Sequence, residues 1–225
     1  MRKMDGRLVA NFLALAGLAV LSTANATPVF INELHYDNAG RDQLEGVEVV
    51  APAAGDLMGW VISLYNGADG RPYRALPLDG AARVTKDGVD FIWVETTLQN
   101  GPDGIALSDA QGEVVDFLSY EAEFEAFEGV AAGLTSELIG AVEGGATPVG
   151  FSIQRRGEGQ TRDDFGWSPA PIESTWQGPN REQTFAVFST PAEPVPIGST
   201  AMLTAIGCLT LGWHRLRRGR RGAHA

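Results

Sequence analysis

The chain has 225 residues, a formal net charge of −11 and a single cysteine, Cys208, which excludes an internal disulfide and any Cys-based zinc site. Its basic residues gather at the two ends, so the stretch 27–194 holds nine Lys and Arg against 27 Asp and Glu, a net −18. Such a field repels phosphate, which makes nucleic acid an unexpected partner, and it suits a solvated acidic surface around one packed core.

The first element is an address label. Arg2, Lys3 and Arg7 precede the apolar run LVANFLALAGLAVL, and TANA follows with Ala24 and Ala26 in an A-x-A cleavage pattern. Basic start, apolar middle and small-residue close are the plan of a secretory signal peptide. Residues 1–26 are therefore expected to be removed on export as an N-terminal signal helix, leaving Thr27 first.

Strand signals then recur with turns between them. TPVFINELHY opens, and GVEVVAP sets Val47 and Val49 on one face. GWVISLYN sets Trp60, Ile62 and Leu64 on one face and Val61 and Tyr65 on the other. NGADG is a turn in which Gly67 and Gly70 tolerate positive φ. RPYRALPL, VDFIWVE, DGIALSD, EVVDFLSY, GFSIQRR and DFGWS continue the pattern. Short Val-, Ile- and aromatic-rich strands at this spacing predict an antiparallel sandwich or barrel over 27–188. GLTSELIGAV is expected to add a short helix of one or two turns.

Chemistry-bearing residues are few. Strand alternation in NELHYDN puts Glu33, His35 and Asp37 in a row, as candidate ligands of a metal or as a general base. Asp37 lies where the strand should already turn with Asn38 and Gly40, which leaves Glu33 and His35 as neighbours, expected to form one hydrogen-bonded pair on a sandwich edge. His35 is the only histidine between 27 and 194; no serine sits in a G-x-S-x-G elbow, and phosphate-cradling glycine loops are absent. The stretch EAEFEAFEG, with Glu121, Glu123, Glu125 and Glu128, reads as an acidic surface loop pinned by Phe124 and Phe127. Calcium is the cofactor such carboxylates would take, although no D-x-D-x-D-G loop is present. Trp60, Trp93, Trp167 and Trp176 are expected in or against the core.

The closing elements are a Pro-rich linker, 189–196, and a tail, 197–225. The 19 uncharged residues from Val195 to Trp213 would span roughly 28 Å as a helix, enough for a bilayer core. Arg215, Arg217, Arg218, Arg220 and Arg221 follow, which places the tail's end in the cytoplasm and the acidic domain outside. The tail resembles the PEP-CTERM type of sorting tail: EPVPIGSTAML stands where the motif belongs, with Val195 and Pro196 in place but Ile197 and Gly198 after them. That resemblance implies a C-terminal transmembrane helix, recognition by an exosortase-like enzyme, and cleavage near Pro196.

Taken together, VFINELHYDNAGRDQLEGVEVVAP, DLMGWVISLYNG, LQNGPDGIALSD, GEVVDFLSYEAEFEA, AAGLTSELIG, TPVGFSIQRRGEG, DFGWS and STWQGPNREQ resemble the lamin-tail domain family in its bacterial exported branch. The resemblance implies an immunoglobulin-like antiparallel β-sandwich and carries no catalytic residues with it. The expected function is a non-catalytic module exported through the inner membrane, transiently anchored, then displayed at the surface or in the extracellular matrix, with a polysaccharide or protein ligand. The alternative is an accessory or metal-dependent extracellular hydrolase, nuclease- or phosphoesterase-associated, that uses Glu33, His35 and Asp37.

Overall fold

β-branched and aromatic residues alternate along the middle of the chain, and strands form on those stretches. The computed structural model describes residues 28–186; the signal cleavage site, linker and tail fall outside them. The strands are β1 (Phe30–His35), β2 (Gly46–Pro52), β3 (Val61–Asn66), β4 (Arg71–Pro77), β5 (Arg83–Lys86), β6 (Val89–Glu95) and β7 (Asp103–Ser108). They continue as β8 (Val114–Tyr120), β9 (Glu137–Leu138), β10 (Phe151–Gly159), β11 (Phe165–Trp167), β12 (Ile172–Glu173) and β13 (Gln183–Phe185). One sheet has the order β11-β10-β1-β2-β6-β5, with β12 and β13 also paired to β10. The second runs β4-β3-β7-β8-β9.

The two sheets pack as a sandwich through one apolar core. Val47, Val49 and Ile92 from the first sheet meet Ile62, Leu64, Ile105, Leu107 and Leu118 from the second. The register of β1 shifts between Ile31 and Glu33. This bulge lets Ile31 and Leu34, three residues apart, both enter the core, which plain alternation forbids.

Neither outer face is left bare. On the first sheet Phe30, Val50 and Phe91 are covered by Phe165 and Phe185. On the second, Tyr65, Ala106 and Phe117 are covered by Phe124, Ala126 and Ala131 from the acidic stretch. Phe124 approaches so closely that a Cβ on Gly104 would stand 2.7 Å from its ring. An apolar outer face needs a lid, and these long connections supply two.

Four expectations change. β1 lies between β10 and β2, so it is an interior strand and not a sandwich edge. Of the two phenylalanines only Phe124 packs its ring onto the sheet; the Phe127 side chain is 65% exposed, beside the Arg71 guanidinium, and its backbone N–H donates to Gly70 O at 2.8 Å. GLTSELIGAV forms no helix: Glu137–Leu138 pairs parallel to β8, and Ile139 N–H donates to Ser119 O at 2.8 Å. The sheets are not wholly antiparallel, because β13 also runs parallel to β10. The strand pairings share a physical reason: sheet edges with free backbone groups capture whatever segment is tethered nearby. The apolar run 195–213 lies outside the described residues, among which no helix is long and apolar enough to cross a membrane.

Candidate functional site

His35 closes β1, and its ring is sealed, with the side chain 1% exposed. Nδ1 lies 2.9 Å from Glu143 Oε1; Nε2 lies 3.1 Å from Asn38 Oδ1 and 3.0 Å from Gln43 O. Asn38 cannot be flipped, because its Nδ2 donates to the carbonyls of Ala39 and Arg41 and its Oδ1 accepts Gln43 N–H. Both partners of Nε2 are acceptors, so Nε2 carries a hydrogen, and Nδ1 shares a second hydrogen with the Glu143 carboxyl. Burial alone would lower the His35 pKa, but the hydrogen bond and charge of Glu143 outweigh it and the net direction is upward. Glu143 is also the cap of this corner: its Oε2 accepts the N–H groups of Tyr36 at 2.6 Å and Asp37 at 3.1 Å.

Glu33 looks elsewhere. It faces Glu48 across the β1–β2 pair and Gln154 across the β1–β10 pair, and Glu48 faces Trp93 of β6. The segment from Glu173 to Gln183 lies over this row. Glu33 Oε1 accepts from Ser152 Oγ at 2.5 Å and Thr175 N–H at 2.9 Å. Glu48 accepts Asn32 Nδ2–H at 3.1 Å and Gln177 N–H at 2.6 Å. Trp176 stacks on Trp93 with ring centroids 3.8 Å apart. Trp93 in turn lies over Gly46, where any Cβ would stand 2.5 Å from the ring.

Hydrogen-bond geometry places a proton in this layer. Thr175 Oγ1 is 2.9 Å from both Glu33 Oε2 and Asn180 Oδ1, yet a hydroxyl has one hydrogen. Asn180 Nδ2 is committed to the carbonyls of Asn32 and Arg155, both at 3.0 Å, so its Oδ1 must face Thr175. All these contacts are satisfied when Glu33 Oε2 carries a proton and donates it to Thr175, whose hydroxyl donates to Asn180. Burial, the largest cause, raises both Glu33 and Glu48, and the facing Glu33 charge raises Glu48 further, so the pair retains a proton; the N–H donors on both Glu48 oxygens place that proton on Glu33.

Asp37 lies in the turn after β1, its carboxyl raised by burial and by the nearby Asp42. His35 and the backbone of Asp37 thus share Glu143, Glu33 engages a separate set of partners, and Glu33 and His35 form no pair with one another. Among the described residues no group of three His, Cys, Asp or Glu side chains is placed to hold a metal ion. Glu48, Glu143, Thr175 and Asn180 are the residues that sequence reasoning missed. A lone Glu inside GVEVVAP signals a solvent-facing position, and only the covering segment turns it inward.

A polar cleft of about 950 Å³ is lined by Arg41, Asp42, Glu45, Arg74, Glu95 and Thr96. Arg74 donates to Thr96 Oγ1 at 2.8 Å, and the buried Glu45 accepts Leu98 N–H at 3.1 Å. Basic and acidic side chains with a hydroxyl on one rim suit a ligand that both donates and accepts. Comparison with protein-family models, with curated proteins and with solved structures returned no match for this chain.

Proposed function

We propose that this chain is an exported, surface-sorted, non-catalytic module with an immunoglobulin-like sandwich of the lamin-tail kind, adhesive or structural in the envelope or extracellular matrix. The observation that carries the reading is the state of His35. A general base or metal ligand needs a free nitrogen lone pair, and both nitrogens of this buried ring are already engaged, with Glu143 on one side and Asn38 and Gln43 on the other. The polar cleft beside Arg41 and Arg74 is the place for a hydroxyl-rich ligand such as a polysaccharide, or for a polar protein segment. Export rests on the N-terminal signal, and sorting rests on the Val195–Pro196 tail with its arginine cluster.

The test has two arms. In the cell that produces it, the full chain should become accessible to external protease, and a chain ending at Pro194 should lose surface retention. The purified exported portion should give no heat with zinc, manganese or calcium and should cleave neither DNA nor phosphoesters. Cleavage that disappears in His35→Ala would overturn the reading in favour of the hydrolase. Continued periplasmic residence of the full chain would overturn surface sorting.

A further inference from the structure

The segment 173–185 is a strap. It leaves the sheet after β12, crosses the outer face of β1, β2 and β6, and rejoins as β13 beside β10. Between those two short pairings much of its hold is on side chains: Thr175 on Glu33, Gln177 on Glu48, Arg181 N–H on Gln154 Oε1 and Gln183 Nε2 on Asn32 Oδ1.

We propose that Glu33 and Glu48 form a proton-operated latch: with a proton on Glu33 Oε2 they clamp the strap across β1 and β2, and with both carboxylates ionised they release it. The inference stands whether or not the chain is exported. Its geometric basis is the Thr175 hydroxyl, caught between Glu33 and Asn180. Once Glu33 loses its proton, that single hydrogen serves one acceptor and abandons the other, so the strap loses either its tie to β1 or its internal tie to Asn180. At the same time two like charges face each other across a buried strand pair.

The surrounding charges do not neutralise that repulsion. On the strap, Glu173 pairs with Arg181, and Glu182 pairs with Arg156 of β10. The Arg155 guanidinium turns to Asp116 of β8. Lys86 of β5, beneath Gly178, is the cation that favours ionised Glu48, and it does not offset the burial that raises it. The row contributed by β6 is the neutral Trp93.

Glu33→Gln tests the mechanism directly. Its amide oxygen can accept from Ser152 and Thr175 N–H while its NH₂ donates to Thr175 Oγ1, which mimics the protonated acid at every pH. Glu48→Gln does the opposite, since both Glu48 oxygens receive N–H donors. The experiment is hydrogen exchange by mass spectrometry on the full-length chain at pH 6 and pH 9, corrected for intrinsic exchange chemistry. In the wild type, peptides covering 173–185 should open on the order of tenfold more at pH 9, the effect of one pKa unit of coupling, while peptides from β2 and β6 stay protected. Glu33→Gln should remove the difference, and Glu48→Gln should loosen the strap at both pH values. Equal strap protection of the wild type at the two pH values would overturn the latch, whether or not the variants fold. So would a pH response retained in Glu33→Gln, a fully protected strap in Glu48→Gln, or strap and β2 exchanging together.

Discussion

His35 shows how much one residue's meaning depends on what surrounds its two nitrogens. A histidine in a short polar run suggests chemistry, but this one is buried and paired with Glu143, 108 positions away. Removing one partner of a buried pair leaves the other charge unsatisfied, so His35→Ala is expected to cost about 3–5 kcal/mol in urea denaturation. The sign of its pH effect follows from the direction of the shift. The folded pKa is raised above 6.5, so the contribution is complete below 6.5 and is lost as pH rises through the raised value. Ring ¹⁵N shifts at pH 7 should report both nitrogens protonated; a neutral tautomer at that pH would reopen the question of a catalytic His35.

At the scale of elements, the two sheets are joined by polar bonds as well as by the core. Arg155 of β10 donates Nε–H to Ile31 O at 2.8 Å and meets Asp116 of β8 at 3.4 Å. Its guanidinium lies 4.3 Å from the Trp167 ring centroid, and Arg162 reaches the other oxygen of Asp116 at 3.3 Å. Asp116 is fully enclosed, and burial raises its pKa against the pull of both arginines. Asp116→Ala should therefore cost about 3–5 kcal/mol, whereas an apolar pair replacing Asp116 and Arg155 together should cost far less. A double-mutant cycle followed by urea unfolding checks this. The covering segments behave as elements too: Tyr65 Oη accepts Ala131 N–H at 3.0 Å and so anchors the acidic stretch to β3. Tyr65→Phe should raise proteolytic cutting within 121–136 and leave the sandwich folded.

For the whole molecule, the buried acids and His35 push in one direction. The facing Glu33–Glu48 pair holds a proton, on Glu33, at pH values where the unfolded chain has released it, and His35 does the same above 6.5. The contribution of Glu33 is accordingly complete below about 4.5, the ordinary carboxyl value, and is lost progressively as pH rises through about 7. Each additional proton retained by the fold costs about 1.4 kcal/mol per pH unit crossed, and the net −18 of the stretch 27–194 adds self-repulsion in the same sense. A melting temperature that is lower at pH 9 than at pH 6 is the expected result, with the drop reduced in Glu33→Gln.

Alternation by itself determined the all-β character, most of the strands, and which of Val47, Val49, Ile62 and Leu64 face the core, because the side-chain period of a strand is local. Turn chemistry likewise placed the end of β1 ahead of Asp37, Asn38 and Gly40. The polar strand β5, the capture of 137–138 as β9, and the lids over both outer faces were decided by tertiary structure. They depend on free sheet edges and apolar faces that exist only once distant strands have paired. The same holds for the site residues. Glu33 and His35 were visible in the sequence, but their partners Glu48, Thr175, Asn180 and Glu143 lie 15 to 147 positions away, and a proton's location is set by those partners.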